Sequence, residues 1–405
     1  MPAAQVTACP CMDTAINTLH IQNFKSIRSA LLHQRRVNII IGQPNAGKST
    51  VLEAMSLLGS VPYEQQDKFV GSFVLYDKPR QLFHDNLTAS PIKIETDRDL
   101  CLLGKGSQGS GYYYASFSQE AYRELRTQMG TPLAGGHLSR AGDDGALLDR
   151  LGPYLLRTGA PPTSGGYYYT ELDKRGRPGL GAPAEARYLS SGSPWYPQAV
   201  KAYRFQSETK LAVARPGAAL FPPHGDNLVR VLETNAELRR EFMGLFTAQG
   251  LALRVRVDVG RLEISKELDG LSYVYPYQGT GDALRHYGFL LAVLESNRKA
   301  VLLLEEPETH LYPDYATELV RRIVAGSGNQ FFITTHSPHL FTQVIENMVP
   351  FENRALELAV FVAYYQDYQT KVRQLSDEEL RNVQGDSAHA FRSLSCAAMP
   401  EAAVR

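Results

Sequence analysis

Apolar and polar positions alternate in "INTLHIQNF", and an unbroken apolar run follows in "VNIII" at residues 37–41. Period-two alternation predicts a half-buried strand, and a short continuous run rich in β-branched residues predicts a strand buried on both faces. Beyond a glycine-containing stretch the spacing becomes helical in "KSTVLEAMSLL" and stops at Gly59. Further along, "VKAYRF" reads as a strand, and "DNLVRVLETNAELRREFMGLF" has helical spacing behind a capping Asp226. "LALRVRVDVGRLEISKEL" alternates and turns at Gly260, which predicts a β-hairpin. Then come helix "DALRHYGFLLAVLES", strand "AVLLL", helix "DYATELVRRIVAG" and strand "QFFITT". Helix alternating with strand predicts an α/β fold with a mostly parallel sheet covered on both faces. Past residue 345 the pattern predicts a helical tail, with a capping box at "SDEE", Ser376 to Glu379.

Between residues 101 and 200 the texture changes to glycine, proline, serine and tyrosine, as in "GAPPTSGGYYYTEL". "GYYY" occurs twice, at Gly111 and at Gly166. Glycine ahead of a β-favouring aromatic run predicts short hairpins, and the tyrosines are read as strand residues packing an inserted α+β subdomain rather than as base-stacking platforms. No sustained heptads predict a coiled-coil arm. The expected organisation is an N-terminal extension (1–13), a first lobe (14–100), the tyrosine-rich insertion (101–200), a second lobe (201–345) and the tail (346–405).

Composition narrows the picture little. The chain is 43% hydrophobic and 21% charged, with basic and acidic residues in balance, which is ordinary for a globular protein and argues against a surface coated for nucleic acid. No apolar run reaches the roughly 20 residues of a membrane helix, and the first residues show no signal-peptide core, so a cytoplasmic protein without a membrane partner is expected. Cys9 and Cys11 form an isolated C-x-C, read as incidental thiols.

The chemistry enters at "GQPNAGKST". Gly42, Gln43, Pro44, Asn45, Ala46, Gly47, Lys48 and Ser49, followed by Thr50, fit G-x-x-x-x-G-K-[ST] after a predicted strand and at the start of a predicted helix. Backbone N–H groups and the helix N-terminus in such a loop cradle phosphates. Lys48 would reach the β- and γ-phosphates of ATP, and the Ser49 hydroxyl would bind Mg²⁺. "AVLLLEEPETHLYP" puts Glu305 and Glu306 at the end of an apolar strand, where two acids could merely meet solvent. Beside a phosphate loop the pair reads differently: Glu305 as an Mg²⁺ ligand, Glu306 as the base for the attacking water. "QFFITTHSPHLF" ends the next strand at His336, placed to sense a γ-phosphate, while His310 and His339 are read as structural.

Phosphate loop, long insertion, glycine turn opening a helix, strand with E-E and strand with His: this order resembles the ABC-type P-loop NTPase heads. With "IQNFKSI", "EEPETHLYP" and "TTHSPHLF" it looks more narrowly like the RecF/SMC/OLD group, and like the OLD-like AAA ATPases of bacterial phage-defence operons, such as the ATPase subunit of PARIS. The resemblance covers residues 14–60 and 200–345. It implies an Mg²⁺-dependent ATPase in which two heads sandwich two nucleotides, each phosphate loop facing the other head's signature turn. The matching stretch here is Thr280-Gly281-Asp282-Ala283-Leu284-Arg285, where threonine replaces the usual serine and Asp282 replaces a glycine. Gln81 matches the place of the metal-facing glutamine between the lobes. OLD nucleases carry a further nuclease domain with a D-x-D pair, absent after residue 345, so a separately encoded effector, a nuclease or toxin, is expected.

A DNA-repair clamp of RecF/SMC type is the alternative. It would need a basic DNA channel, for which Arg254, Arg256, Arg285 and Arg298 are scattered candidates. A transporter subunit would need closer agreement at the signature and a membrane partner.

Overall fold

The computed structural model describes residues 14–60, 68–106, 111–129, 147–148, 150–151, 166–177, 199–209, 211 and 217–397. Cys9, Cys11, the N-terminal extension and the glycine- and proline-rich stretch at 178–198 lie outside them.

The antiparallel pair β1 (Thr18–Phe24) and β2 (Ile27–His33) precedes β3 (Val37–Gly42), which runs through the glycine loop into α1 (Lys48–Gly59). Next come β4 (Ile92–Thr96), β5 (Asp99–Lys105), β6 (Tyr112–Ser118), α2 (Gln119–Gln128) and β7 (Tyr167–Leu172). Six of these strands form one antiparallel sheet in the order β2-β1-β4-β5-β6-β7. Strand β5 therefore crosses residue 100, and the two tyrosine runs are neighbours within the sheet that β1 begins. Tyr112, Tyr114, Tyr167 and Tyr168 are buried, and the Tyr114 hydroxyl donates to Leu57 O at 2.6 Å, pinning the end of α1.

The second half begins with β8 (Val200–Tyr203). The single helix expected behind Asp226 is two, α3 (Leu228–Thr234) and α4 (Ala236–Thr247). The chain breaks at Asn235, which leaves helical geometry and accepts the Leu238 N–H at 3.0 Å. Asn favours such a cap position because its side-chain oxygen satisfies an orphan N–H; Asn227, not Asp226, holds the first cap position. The hairpin at Gly260 is present and extended to three strands, β9 (Ala252–Arg256), β10 (Arg261–Leu268) and β11 (Leu271–Pro276). Then follow α5 (Asp282–Ser296), β12 (Val301–Glu305), α6 (Pro313–Ala325), β13 (Gln330–Thr334) and α7 (Pro338–Met348).

The tail departs from expectation. Before α8 (Asp377–Val383) and α9 (Ser387–Ala397) it forms a hairpin, β14 (Leu358–Gln366) and β15 (Gln369–Gln374). Along β14, Leu358, Val360 and Val362 enter one core while Ala359, Phe361 and Ala363 enter the other. A continuous apolar run of this kind cannot be told from a buried helix by periodicity alone. Its turn residues, Asp367 and Tyr368, take left-handed φ of 54° and 59° without a glycine to announce them. The capping box at Ser376 and Glu379 is formed, at 3.2 and 2.8 Å.

The resulting sheet has the order β15-β14-β3-β13-β12-β8, with β14, β3, β13, β12 and β8 all parallel. Val37, Ile39 and Ile41 of β3, and Leu302 and Leu304 of β12, face α5, α6 and α7; Ile40, Val301 and Leu303 face α1 and the antiparallel sheet. Each such side chain contributes roughly 1.5–3 kcal/mol by leaving water. This two-sided burial fixes the C-terminal ends of β3, β12 and β13 along one rim, where open α/β sheets place their ligands.

Candidate functional site

At that rim β3 turns through residues 43–47. Gly42 and Gly47 have φ of 149° and 92°, and Asn45 is left-handed at 60°. A Cβ at Gly42 would stand 2.2 Å from Ala363 O, and one at Gly47 would stand 2.1 Å from Thr370 Oγ1. The loop thus has glycine both for its backbone and because the β14–β15 hairpin presses on it. Pro44 and Asn45 are exposed, Ala46 is buried, and Gln43, Ser49 and Thr50 are half-buried. Lys48 is buried, and its ammonium donates to Gly42 O at 3.1 Å and to Gln43 O at 2.8 Å. Burial depresses the Lys48 ammonium to about 8, against the opposing pull of the Glu306 carboxylate. An ammonium parked on the loop's own carbonyls suits a site built for phosphate: the cation can exchange those partners for an anion's oxygens without moving far.

Glu305 ends β12. Its carboxylate pairs with Arg204, which follows β8 on the adjacent strand. Both line a cleft together with Ser49, Glu53 and Ser56 of α1. Glu306 is the first residue beyond the strand. Its φ of 42° is left-handed for a non-glycine residue, a geometry that costs about 1–3 kcal/mol and persists where neighbours enforce it. The Glu306 N–H donates to Thr334 O at 3.0 Å, which extends the β12–β13 ladder by one residue. Its carboxylate then sits 3.3 Å from His336 Nε2 and accepts the Thr309 hydroxyl at 3.4 Å. Burial depresses the His336 imidazole, Lys48 lowers it further, and Glu306 opposes both. Lys48, Glu306 and His336 therefore share one electrostatic environment, while Ser49 and Glu305 share the adjoining cleft.

The other sequence-derived candidates lie elsewhere. Thr280 and Gly281 precede α5, with Gly281 exposed at its N-cap and the Thr280 hydroxyl donating to Tyr277 O at 2.7 Å. The Asp282 carboxylate pairs with Arg285, whose other nitrogens donate to Thr280 O at 3.1 Å and Ser207 O at 2.7 Å. Asp282 is thereby neutralised as part of a clamp on the turn. Neither Thr280 nor Gly281 lines the Ser49–Glu305 cleft. Gln81 does not line it either: its side-chain oxygen accepts the N–H groups of Asp77 at 2.6 Å and Lys78 at 3.0 Å, capping its own turn.

Sequence reasoning passed over three residues beside the site. Arg204 was detectable, since it follows a strand of the same parallel sheet on the same rim as Glu305. Glu308 is held by the Thr335 hydroxyl, tying the segment after β12 to the segment after β13, and burial raises its carboxyl. His286, on α5, stacks on Phe205 at 4.6 Å and 14°, and its Nδ1 lies 2.9 Å from Thr309 O. With a carbonyl as partner, that nitrogen must donate. His286 thus connects α5 to the segment whose Thr309 holds Glu306, a long-range contact with no local signal.

Among the described residues no group of three or more His, Cys, Asp or Glu side chains could hold a metal by itself. Ser49 and Glu305 nonetheless offer the hydroxyl and carboxylate that suit Mg²⁺, a cation that draws its other ligands from water and substrate phosphates.

Two family models match the chain. One, described as "AAA ATPase domain", covers residues 15–100; the other, "AAA domain, putative AbiEii toxin, Type IV TA system", covers residues 232–342. The first matched stretch contains the phosphate loop, and the second contains Glu305, Glu306 and His336. An uncharacterized protein of Methanocaldococcus jannaschii is 48% identical over 50 residues, 12% of this chain and 22% of that one, so the match spans about a fifth of the relative's length. Among solved structures, an SMC head bound to the C-terminal winged-helix domain of ScpA aligns over 91% of this chain and 99% of its own at 13% identity and TM-score 0.45. The SMC head domain from Thermotoga maritima aligns over 89% and 99% at 13% identity and TM-score 0.37. Among the described residues no helix is long and apolar enough to cross a membrane.

Proposed function

We propose that this chain binds and hydrolyses ATP with Mg²⁺, that a second copy completes each site, and that the cycle controls a separately encoded effector. The observation that carries the reading is the meeting of Lys48, Glu306 and His336 at one rim, with Ser49 and Glu305 in the adjoining cleft. In this mechanism Lys48 leaves the carbonyls of Gly42 and Gln43 for the phosphate oxygens. The loop N–H groups and the start of α1 hold the remaining phosphate charge. Glu306, fixed by its N–H bond to Thr334 O, orients a water and takes its proton. His336, through Nε2, holds the Glu306 carboxylate in line. Bound Mg²⁺ would supply charge neutralisation, with Ser49 and Glu305 as its protein ligands.

The turn at Thr280 and Gly281, exposed at Gly281, supports the second copy. The N-terminus of α5, with Asp282 paired, is open to a triphosphate on another protomer and does not line the Ser49–Glu305 cleft of its own chain. The resemblance to OLD-like ATPases and the toxin named in one family description support an effector, a nuclease or toxin, in anti-phage defence. The DNA-clamp alternative gains nothing from its candidate arginines: Arg254, Arg256, Arg285 and Arg298 each pair with a carboxylate.

The test is Glu306→Gln, assayed for ATP binding and for phosphate release. ATP should still bind, with kcat reduced about 10²–10⁴-fold. Hydrolysis at the unsubstituted rate would remove Glu306 as base.

A further inference from the structure

We propose that Tyr365 is the wall against which the base of a bound nucleotide stacks, making the β14–β15 hairpin the base subsite. The proposal rests on the phosphate loop being a nucleotide site. Its argument begins with sheet order. The residues that would meet the terminal phosphate, Glu306 and His336, follow β12 and β13 on one flank of β3, while β14 and β15 occupy the other flank. A nucleotide whose phosphates cross the end of β3 with the last one at Glu306 must carry its base toward β14 and β15.

Register places a ring there. Ala363 pairs with Gly42, the last residue of β3, so β14 continues past the start of the loop. Tyr365 lies two residues further, roughly 7 Å along the strand. Strand residues two apart share a face, and Ala359, Phe361 and Ala363 all enter the core that contains Ala46, Val51 and Leu52. Tyr365 continues that α1-facing row where the core ends, and it is 53% exposed.

The mount is rigid. Thr370 is the cross-strand partner of Tyr365 and so points to the same face. It is the residue that a Cβ at Gly47 would strike. Its N–H donates to Ser26 O at 2.7 Å, and its hydroxyl lies 2.7 Å from Ser26 Oγ. The hairpin is therefore anchored to both the loop and the β1–β2 turn. A half-exposed aromatic ring on an anchored strand beside the loop offers a flat apolar face at little ordering cost, which is what stacking requires.

The experiment uses the full chain in Mg²⁺ buffer and titrates ATP and, separately, inorganic tripolyphosphate by calorimetry. Tyr365→Ala should weaken ATP on the order of tenfold and leave tripolyphosphate unchanged, while Tyr365→Trp keeps both. ATP binding unaltered in Tyr365→Ala would overturn the proposal. So would equal losses for both ligands, or a loss produced by Tyr368→Ala in the 86%-exposed turn and not by Tyr365→Ala. If the unsubstituted chain binds tripolyphosphate as tightly as ATP, the base subsite fails while the phosphate loop stands. If it binds neither, the nucleotide reading itself fails.

Discussion

The loop at Gly42–Gly47 and the turn at Gly279–Gly281 both precede a helix and both contain two glycines, yet they are built differently. A methyl group at Gly42 or Gly47 would collide with the C-terminal hairpin at little more than 2 Å, at 2.2 and 2.1 Å. A methyl group at Gly279 or Gly281 would meet none of the described residues within 4 Å. The first site is closed by its own chain; the second is open to solvent on the side its helix presents. Glycine at the loop is explained by the fold, whereas nothing among the described residues requires it at the turn. That asymmetry is what a site shared between two copies would produce.

The largest effect on the stability of the single chain should come from Gly47→Ala. It combines a side chain at φ 92° with the clash on Thr370. About 3–5 kcal/mol should be lost, read as a lower urea midpoint at unchanged slope. Adding Thr370→Ala removes the contacts to Oγ1 and Cγ2 at 2.1 and 2.6 Å but keeps the one to Cβ at 2.9 Å, so it should restore most of the steric part and none of the backbone part. A loss below about 1 kcal/mol would mean that the hairpin yields freely, and the contrast between the two glycine sites would collapse.

Much of the first region was legible in the sequence, because each of its parts is local. The phosphate loop is contiguous, and Glu305, Glu306 and His336 each mark the end of a hydrophobic strand. The strands and helices from 282 to 334 followed from periodicity for the same reason. What closes the site was not legible. Thr370 meets Gly47 from the far end of the chain, Arg204 reaches Glu305 from a neighbouring strand, and His286 reaches Thr309 from α5. None of these pairs leaves a trace in spacing. The β14–β15 hairpin escaped because its apolar run fits two cores at once and its turn lacks glycine. Thr280 and Gly281 were legible as a pattern, but the pattern cannot say what stands opposite.

His286 lies between the two regions, and pH should expose it. Burial holds its imidazole down to about 4; the Thr309 carbonyl and Asp282 oppose this, and His310 adds to it. The folded state keeps the ring neutral while the unfolded chain takes up a proton near the ordinary value of 6.5. Its neutral packing is thus fully favourable above 6.5, and stability falls as pH drops from 6.5 toward 4. The loss should reach at most about 3 kcal/mol. His286→Gln retains a donor for Thr309 O and removes the titration, so urea midpoints between pH 4.5 and 7 should vary less with pH than in the unsubstituted chain. Identical slopes would show that His286 does not titrate as its burial requires.

The smallest effect on stability, within about 0.5 kcal/mol, should come from Gly281→Asp, and it is the most informative about the comparison. Gly281 already has extended backbone, at φ −60° and ψ 140°, so a side chain brings no strain. Aspartate is also a better N-cap than glycine, because its carboxylate can accept an orphan N–H of the first turn. The melting temperature should therefore hold or rise slightly, and ATP should bind the isolated chain as before. A second negative charge at this helix end, unlike Asp282, would have no arginine clamped on it. Facing another protomer's triphosphate it should repel, and steady-state hydrolysis should fall at least about tenfold, with its rise with protein concentration moved to higher concentrations. Unchanged hydrolysis alongside an unchanged melting temperature would mean that the turn faces only water, and the open region would then be a surface rather than half of a site.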